Sequence, residues 1–161
     1  MARYQKQQRQ YPIGTVSSGT MRNEDLIPSF LWELKNQAST AGVPRKQRSA
    51  HLALYREIDK RSEADDYYES EDAYEDLQAL TDALDDYAGP YFYFGAHPGD
   101  GADYGFWLTE SFDFEFDGLK VSDLSEVPTK YRGEVLVVND HGNTSLYVAT
   151  SRGLREVWGV V

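Results

Sequence analysis

The feature that most constrains this chain is a long run of residues without a single cation. Residues 63–118 carry seventeen Asp and Glu side chains and no Lys or Arg, whereas residues 1–62 carry eleven Lys and Arg against five Asp and Glu. Like charges at this density repel one another and destabilise a compact state. Acidic tails that stay unfolded are poor in aromatic residues, but this block holds fourteen of the chain's 22 Phe, Trp and Tyr residues. The sequence therefore predicts a folded segment that displays its carboxylates on a defined surface.

Apolar periodicity divides the chain into a helical part and a β part. Residues 1–22 are predicted to be extended or loose, residues 23–88 repeat apolar side chains at helical spacing, and residues 90–161 alternate with a period of two. A chain of 161 residues is about one domain's worth of protein. We expect a single domain with an α+β fold, in which N-terminal helices pack on a C-terminal, mostly antiparallel β-sheet that ends in a meander.

Two segments of the cation-free block are predicted to space their carboxylates at regular intervals, which can be compared with the spacing of phosphates in nucleic acid. Residues 63–87 are predicted to form one acidic helix, and the place where it could be interrupted is near Ser70. Such a helix would be about 38 Å long and would carry one carboxylate per ~3.4 Å. Phe112–Asp117 alternates Phe with acid, which predicts a strand with three phenylalanines on its core face and its carboxylates about 6.6–6.8 Å apart on its solvent face. A single nucleic-acid strand carries one charge per ~3.4 Å of helix axis. Both segments are therefore predicted to imitate a phosphate backbone.

These spacings predict a non-enzymatic inhibitor that blocks a basic, nucleic-acid-binding protein. Such a protein would compete for a phosphate-binding groove and would itself contact neither nucleic acid nor membrane. The predicted partner-binding residues are nine acids that stand in for phosphates and two tyrosines that act as apolar anchors: Asp65, Asp66, Tyr67, Tyr68, Glu69, Asp72, Glu75, Asp76, Asp113, Glu115 and Asp117. The alternative is a general interaction or regulatory module whose acidic face serves solubility.

The loop from residue 97 to residue 105 carries a further alternative, a metal-dependent enzyme. His97, Asp100 and Asp103, with His141 from a predicted hairpin turn, are ligand types that zinc and other divalent ions accept. Their spacing matches no known zinc or calcium loop, and Gly and Asp also serve turn geometry. The glycine spacing is similar to that of a dinucleotide fingerprint, but the fingerprint must open a helix and a strand is predicted here. We therefore predict no catalytic residue, no metal and no cofactor.

Three segments resemble parts of small uncharacterised proteins from bacteria, phages and plasmids: Ser17–Pro28, Tyr93–Trp107 and Gly133–Asn143. This resemblance implies a mobile-element setting and carries no activity. In size and acidity the chain is similar in kind to phage-borne anti-CRISPR and anti-restriction inhibitors. This likeness implies that the blocked protein is a host nuclease or defence complex. The chain has no cysteine, and its first ten residues are polar and basic. No apolar run reaches the ~20 residues of a membrane span. We therefore expect a cytoplasmic protein, in the host cell if phage-encoded.

Overall fold

The chain folds into two compact units, which the computed structural model describes for residues 4–5 and 11–161. The helical unit comprises Pro12–Ala88 and Phe92–Thr109. The C-terminal unit comprises Gly89–Tyr91, Glu110–Val161 and the described residues of Met1–Tyr11. The expected α+β class with antiparallel sheet is confirmed, although the strands form two sheets. The expectation of a single domain stays a prediction.

The elements follow the predicted order of helices first and strands later, except for one short helix among the strands and two strands near the start of the chain. The helices are α1 (Asn23–Ala38), α2 (Arg45–Arg61), α3 (Glu71–Asp85) and α4 (Phe112–Glu115). The strands are β1 (Tyr4–Gln5), β2 (Gly14–Ser17), β3 (Phe92–His97), β4 (Asp100–Leu108), β5 (Leu119–Val121), β6 (Gly133–Val138), β7 (Thr144–Thr150) and β8 (Gly153–Val160). The short helix is α4, and the two early strands are β1 and β2, which lie in the part predicted to be extended or loose. The rest of residues 1–10 lies outside the described residues.

The helical unit packs its long helices against a three-stranded antiparallel sheet in the order β2-β4-β3. Helix α1 contacts β2, α3 contacts β3, and α2 packs on α1. Phe30 of α1 is buried and meets Phe94 of β3 edge to face at 5.0 Å between ring centroids. Strand β2 runs so close to β4 that a Cβ on Gly105 would lie 2.1 Å from the Gly14 carbonyl oxygen. Only glycine fits that position.

The predicted acidic helix of residues 63–87 begins later than expected. Ser62 follows the last residue of α2 as its C-terminal cap and does not open a new helix. Tyr67–Glu69 form a 3₁₀ turn, and α3 begins at Glu71, where the Ser70 side chain accepts a hydrogen bond from the Ala73 amide at 3.3 Å. A serine oxygen that satisfies a free amide of the first turn is a standard helix start. The regular helix is therefore 15 residues long.

The C-terminal unit contains the predicted meander. Strands β6, β7 and β8 pair antiparallel in sequence, and the short strands β5 and β1 add in parallel at the two edges, in the order β1-β8-β7-β6-β5. The turn between β6 and β7 is held by the Asn139 side-chain oxygen, which accepts hydrogen bonds from the amides of His141 and Asn143. The mostly antiparallel sheet is confirmed.

The alternating segment Phe112–Asp117 is not a strand, and this prediction is wrong. Its first four residues form the single-turn helix α4, which buries Phe112 and Phe116 and leaves Phe114 92% exposed. Residues four apart lie on one face of a helical turn, so the outer two rings point inward together and the middle ring points away. Phe112 packs edge to face on Tyr91 at 4.9 Å and on Trp158 at 5.8 Å between ring centroids. The expected ladder of three carboxylates along a strand is therefore absent.

The first and the middle phenylalanine of this turn should differ sharply in their effect on stability. We expect Phe112→Ala to lower the free energy of unfolding by about 3–5 kcal/mol, because it removes a fully buried ring. Phe114→Ala should change it by less than about 0.5 kcal/mol, because an exposed side chain contributes little. Urea unfolding of both variants measures the difference, and equal costs would contradict the helical turn.

Candidate binding surface

The predicted partner-binding residues fall in both units. Asp65, Asp66, Tyr67, Tyr68, Glu69, Asp72, Glu75 and Asp76 belong to the helical unit, whereas Asp113, Glu115 and Asp117 belong to the C-terminal unit. The second group is exposed, and the Glu115 carboxylate accepts a hydrogen bond from the Ser111 hydroxyl at 2.6 Å. Because the two groups lie in different units, each belongs to the surface of its own unit.

The helical unit carries the larger group of free carboxylates, which we call the acidic surface. Each member is exposed, and the described residues supply no ion pair or side-chain hydrogen bond to any of them. The members of the acidic surface are Glu63, Asp65, Asp66, Glu69, Glu71, Asp72 and Glu75. Unpaired surface carboxylates keep their full charge available to a partner, because no internal cation has to be displaced first.

Helix α3 aligns two carboxylates of the acidic surface with a third exposed carboxylate along its axis. Glu71, Glu75 and Asp82 are spaced four and seven residues apart, so they share one solvent-facing stripe. The opposite face is apolar and buried, with Ala73, Leu80 and Leu84 in the core. At about 1.5 Å per residue the helix is about 22 Å long, and its five exposed carboxylates average one per ~4.5 Å. This spacing is looser than the phosphate-like density expected from a longer helix.

Two of the predicted contact residues are interior. Asp76 is 5% exposed and Tyr67 is 2% exposed, so the structure does not present either side chain at the surface, as the predicted contact role requires. The Arg61 guanidinium lies 3.1 Å from one Asp76 oxygen, and the Tyr67 hydroxyl donates to the other at 2.8 Å. Burial, followed by the hydrogen bond to Asp76, raises the pKa of Tyr67 above its ordinary value. These three side chains fix the 3₁₀ turn between α2 and α3.

Tyr68, the second predicted anchor, is half-buried and lines a surface groove of about 530 Å³ in the helical unit. The groove runs between the residues that lead into α1 and the residues at the start of α3. Met21 and Tyr74 also line it, and both are 66% exposed. Sequence reasoning missed these two, because an isolated apolar residue outside a periodic stripe carries no pattern.

A second groove of the helical unit has a more apolar wall. Trp32 of α1 is 67% exposed and lines a space of about 410 Å³ together with Val16 and Pro28. Large exposed aromatic side chains beside a concave surface are typical of protein contacts. This groove is therefore an apolar candidate beside the acidic one.

The candidate metal ligands do not meet. His97 accepts a hydrogen bond from the Gly99 amide at 2.9 Å, and Asp100 accepts one from the Ala102 amide at 3.0 Å, so both shape the turn between β3 and β4. His141 lies in the C-terminal unit. In residues 4–5 and 11–161, no group of three or more His, Asp or Glu side chains is arranged to hold a metal ion. The glycines of this loop belong to a β-hairpin and do not open a helix.

One constellation has the residue types of a catalytic relay. The His51 ring approaches the Asp86 carboxylate at 3.2 Å and the Tyr87 hydroxyl at 2.6 Å. A nucleophile oriented by a histidine and a carboxylate is the general pattern of covalent catalysis. Tyr87 is completely buried, however, so no substrate atom can reach its oxygen. The three groups are best understood as a polar contact at the edge of the core, in which the buried Tyr87 and His51 are satisfied and Asp86 reaches water.

Tyr91 has a perturbed hydroxyl in the C-terminal unit. It donates a hydrogen bond to the Glu134 carboxylate at 2.5 Å, and this bond together with partial burial raises the pKa of Tyr91 to about 12. A raised pKa makes the phenol a weaker acid, which is the opposite of what proton transfer near neutral pH requires. Its backbone φ of 66° is unusual for a side-chain-bearing residue and is held by the packing of its ring on Phe112.

Comparison of the chain with protein-family models, with curated proteins and with solved structures finds no match in any of the three. Within the described residues, none of the helices combines the length and the apolar character needed to cross a membrane.

The buried network should show itself in the pH dependence of stability. We expect Tyr67→Phe to lower the free energy of unfolding by about 1.5–3 kcal/mol near pH 8, because it removes a hydrogen bond to a buried carboxylate. The folded-state pKa of Tyr67 is raised, so its contribution is complete below the unfolded-state pKa of about 10 and declines as the pH rises above that value.

Urea unfolding of the wild type and the variant at a series of pH values measures this difference. Tyr74→Phe is the matched control, because Tyr74 is exposed and its change should stay within about 0.5 kcal/mol. A difference between wild type and Tyr67→Phe that does not shrink above pH ~10 would contradict the assignment.

Proposed function

We propose that this protein is a non-enzymatic inhibitor that binds a basic, nucleic-acid-binding protein through the acidic surface and so competes with nucleic acid. The single observation that carries the proposal is the set of seven exposed carboxylates with no cationic partner among the described residues. A surface of this kind costs folding free energy through self-repulsion. The presence of such a surface is explained if a positively charged partner relieves the repulsion on binding.

The competition follows from the way proteins bind nucleic acid. A nucleic-acid groove presents Lys and Arg to phosphates, and part of its affinity comes from release of condensed cations. A folded acidic surface satisfies the same side chains but offers no base to read and no phosphodiester to cleave. Complementary charge also accelerates the encounter, which favours an inhibitor that must act before a nuclease cuts.

The geometry supports occlusion by charge and does not support phosphate-by-phosphate imitation. The strand predicted from Phe112 to Asp117 is a helical turn, and α3 carries fewer exposed carboxylates per length than a nucleic-acid strand carries phosphates. We propose that Asp113, Glu115 and Asp117 add a smaller, separate contribution. The partner class we propose is a bacterial defence nuclease, as for anti-CRISPR and anti-restriction inhibitors, met in the host cytoplasm.

The test is displacement of labelled duplex DNA from purified defence nucleases, a CRISPR effector complex and a type I restriction enzyme among them. We expect the protein to release DNA from at least one of them at about 50 mM salt and to lose this effect at about 300 mM, because exposed charges are screened. Lysine substitution of Asp65, Asp66 and Glu75 together should raise the half-inhibitory concentration about tenfold or more.

The matched control replaces Asp59, Glu110 and Asp140 with lysine, since these are exposed acids outside the acidic surface and change the net charge equally. This control should inhibit nearly as well as the wild type. Lysine at positions 113, 115 and 117 should weaken inhibition less than the substitutions in the helical unit. Equal inhibition by all variants, or no DNA release from any nuclease at low salt, would overturn the proposal.

The exposed Trp32 groove favours a second candidate, a general interaction module that binds its partner through apolar contact. Binding by burial of apolar surface changes little with salt, unlike binding by charge. Trp32→Ala would then abolish partner binding while the acidic-surface variant leaves it intact.

A further inference from the structure

The groove beside the acidic surface has a composition that goes beyond general acidity. Its walls combine the exposed Met21 and Tyr74 and the half-buried Tyr68 with the carboxylate of Glu69. At about 530 Å³ this open groove has room for a side chain of a partner. Acid and aromatic surface therefore meet in one concave space.

The floor of this groove is held in place by the interior. The Tyr68 ring packs edge to face on Tyr67 at 5.1 Å between centroids, and Tyr67 is hydrogen-bonded to the buried Asp76. The Asn23 side-chain amide donates to the Tyr68 carbonyl oxygen at 3.2 Å, which ties the start of α1 to the 3₁₀ turn. A site supported in this way needs little ordering when a ligand binds.

The charge of the groove selects a cation. Arg22 also lines the groove, but it pairs with Glu24 and approaches Asp25 at 3.3 Å, so its charge is already neutralised. Glu69 is exposed and has no ion pair with any described residue. An anionic ligand would meet this carboxylate and the other six of the acidic surface, and is repelled.

We propose that this groove receives an arginine side chain of the partner, with the guanidinium paired to Glu69 and stacked on the tyrosine rings. A guanidinium is planar, weakly hydrated and suited both to a carboxylate and to an aromatic face. A lysine ammonium is a compact and strongly hydrated charge that gains less from the rings. The proposal deepens the proposed function, on which it rests, by naming one contact of the basic partner.

The experiment compares two synthetic peptides, acetyl-(Gly-Arg)₃-amide and acetyl-(Gly-Lys)₃-amide, which have the same charge. We expect the arginine peptide to bind about 3- to 30-fold more tightly, the range that cation–π stacking provides. NMR chemical shifts of the full-length protein, followed through each titration, report both the affinity and the residues that respond. Met21, Tyr68 and Tyr74 should respond to the arginine peptide.

Tyr74→Ala should bring the two affinities to within about twofold, while Tyr74→Phe, which keeps the ring, should preserve the preference. Trp32→Ala is the matched control, because Trp32 is equally exposed and lines the other groove. Glu69→Gln should weaken the arginine peptide more than Glu71→Gln, since Glu71 does not line the groove.

The outcomes separate this inference from the proposed function. Equal binding of both peptides, with no effect of Tyr74→Ala, overturns the arginine site while DNA displacement by the acidic surface still stands. An arginine preference that depends on Tyr74 supports the site even if no nuclease releases its DNA, in which case the proposed function alone fails. Absence of binding by either peptide at low salt overturns the arginine site.

Discussion

The contact between Arg61 and Asp76 is the point on which the helical unit depends. Arg61 comes from outside the cation-free block and pairs with one of its acids. It pairs with the one carboxylate of that block that α3 buries, and Tyr67 completes its hydrogen bonding. A buried charge without such partners would be strongly destabilising. With this site satisfied internally, the remaining carboxylates can stay at the surface, and the core beneath α3 needs only apolar side chains.

Periodicity made the long helices and the meander predictable, because each buries one face over many residues. The short segments were harder. Phe112, Phe114 and Phe116 satisfy both a strand of alternating faces and a helical turn that buries its first and last rings. The choice depends on Tyr91 and Trp158, which are distant in sequence. Strand β2 is four residues long and depends on a glycine in its partner β4. Neither tertiary contact leaves a local pattern in the sequence.

The exposed carboxylates of the candidate site were predictable, because charged side chains usually remain in contact with water. Asp65, Asp66 and Glu75 are exposed as expected, because an isolated carboxylate is costly to bury. The exceptions, Asp76 and Tyr67, are interior because Arg61 approaches from a different helix. The groove at Tyr74 went unpredicted for a related reason, since its two walls come from segments about fifty residues apart in the chain. Charge is readable from composition, whereas concavity depends on how the segments pack.

Stability and binding are linked through the same unpaired charge. Each carboxylate of the acidic surface adds to the repulsion within the folded unit, and a bound cation removes part of it. A ligand that binds only the folded state raises its free energy of unfolding by an amount that grows with the logarithm of the ligand concentration relative to Kd. We therefore expect a cationic partner to raise the stability of the helical unit more than it would raise the stability of a neutral protein of the same size. Repulsion among these carboxylates raises the free energy of the unbound folded protein. A bound cation relieves part of that repulsion, so the complex is favoured over the free protein.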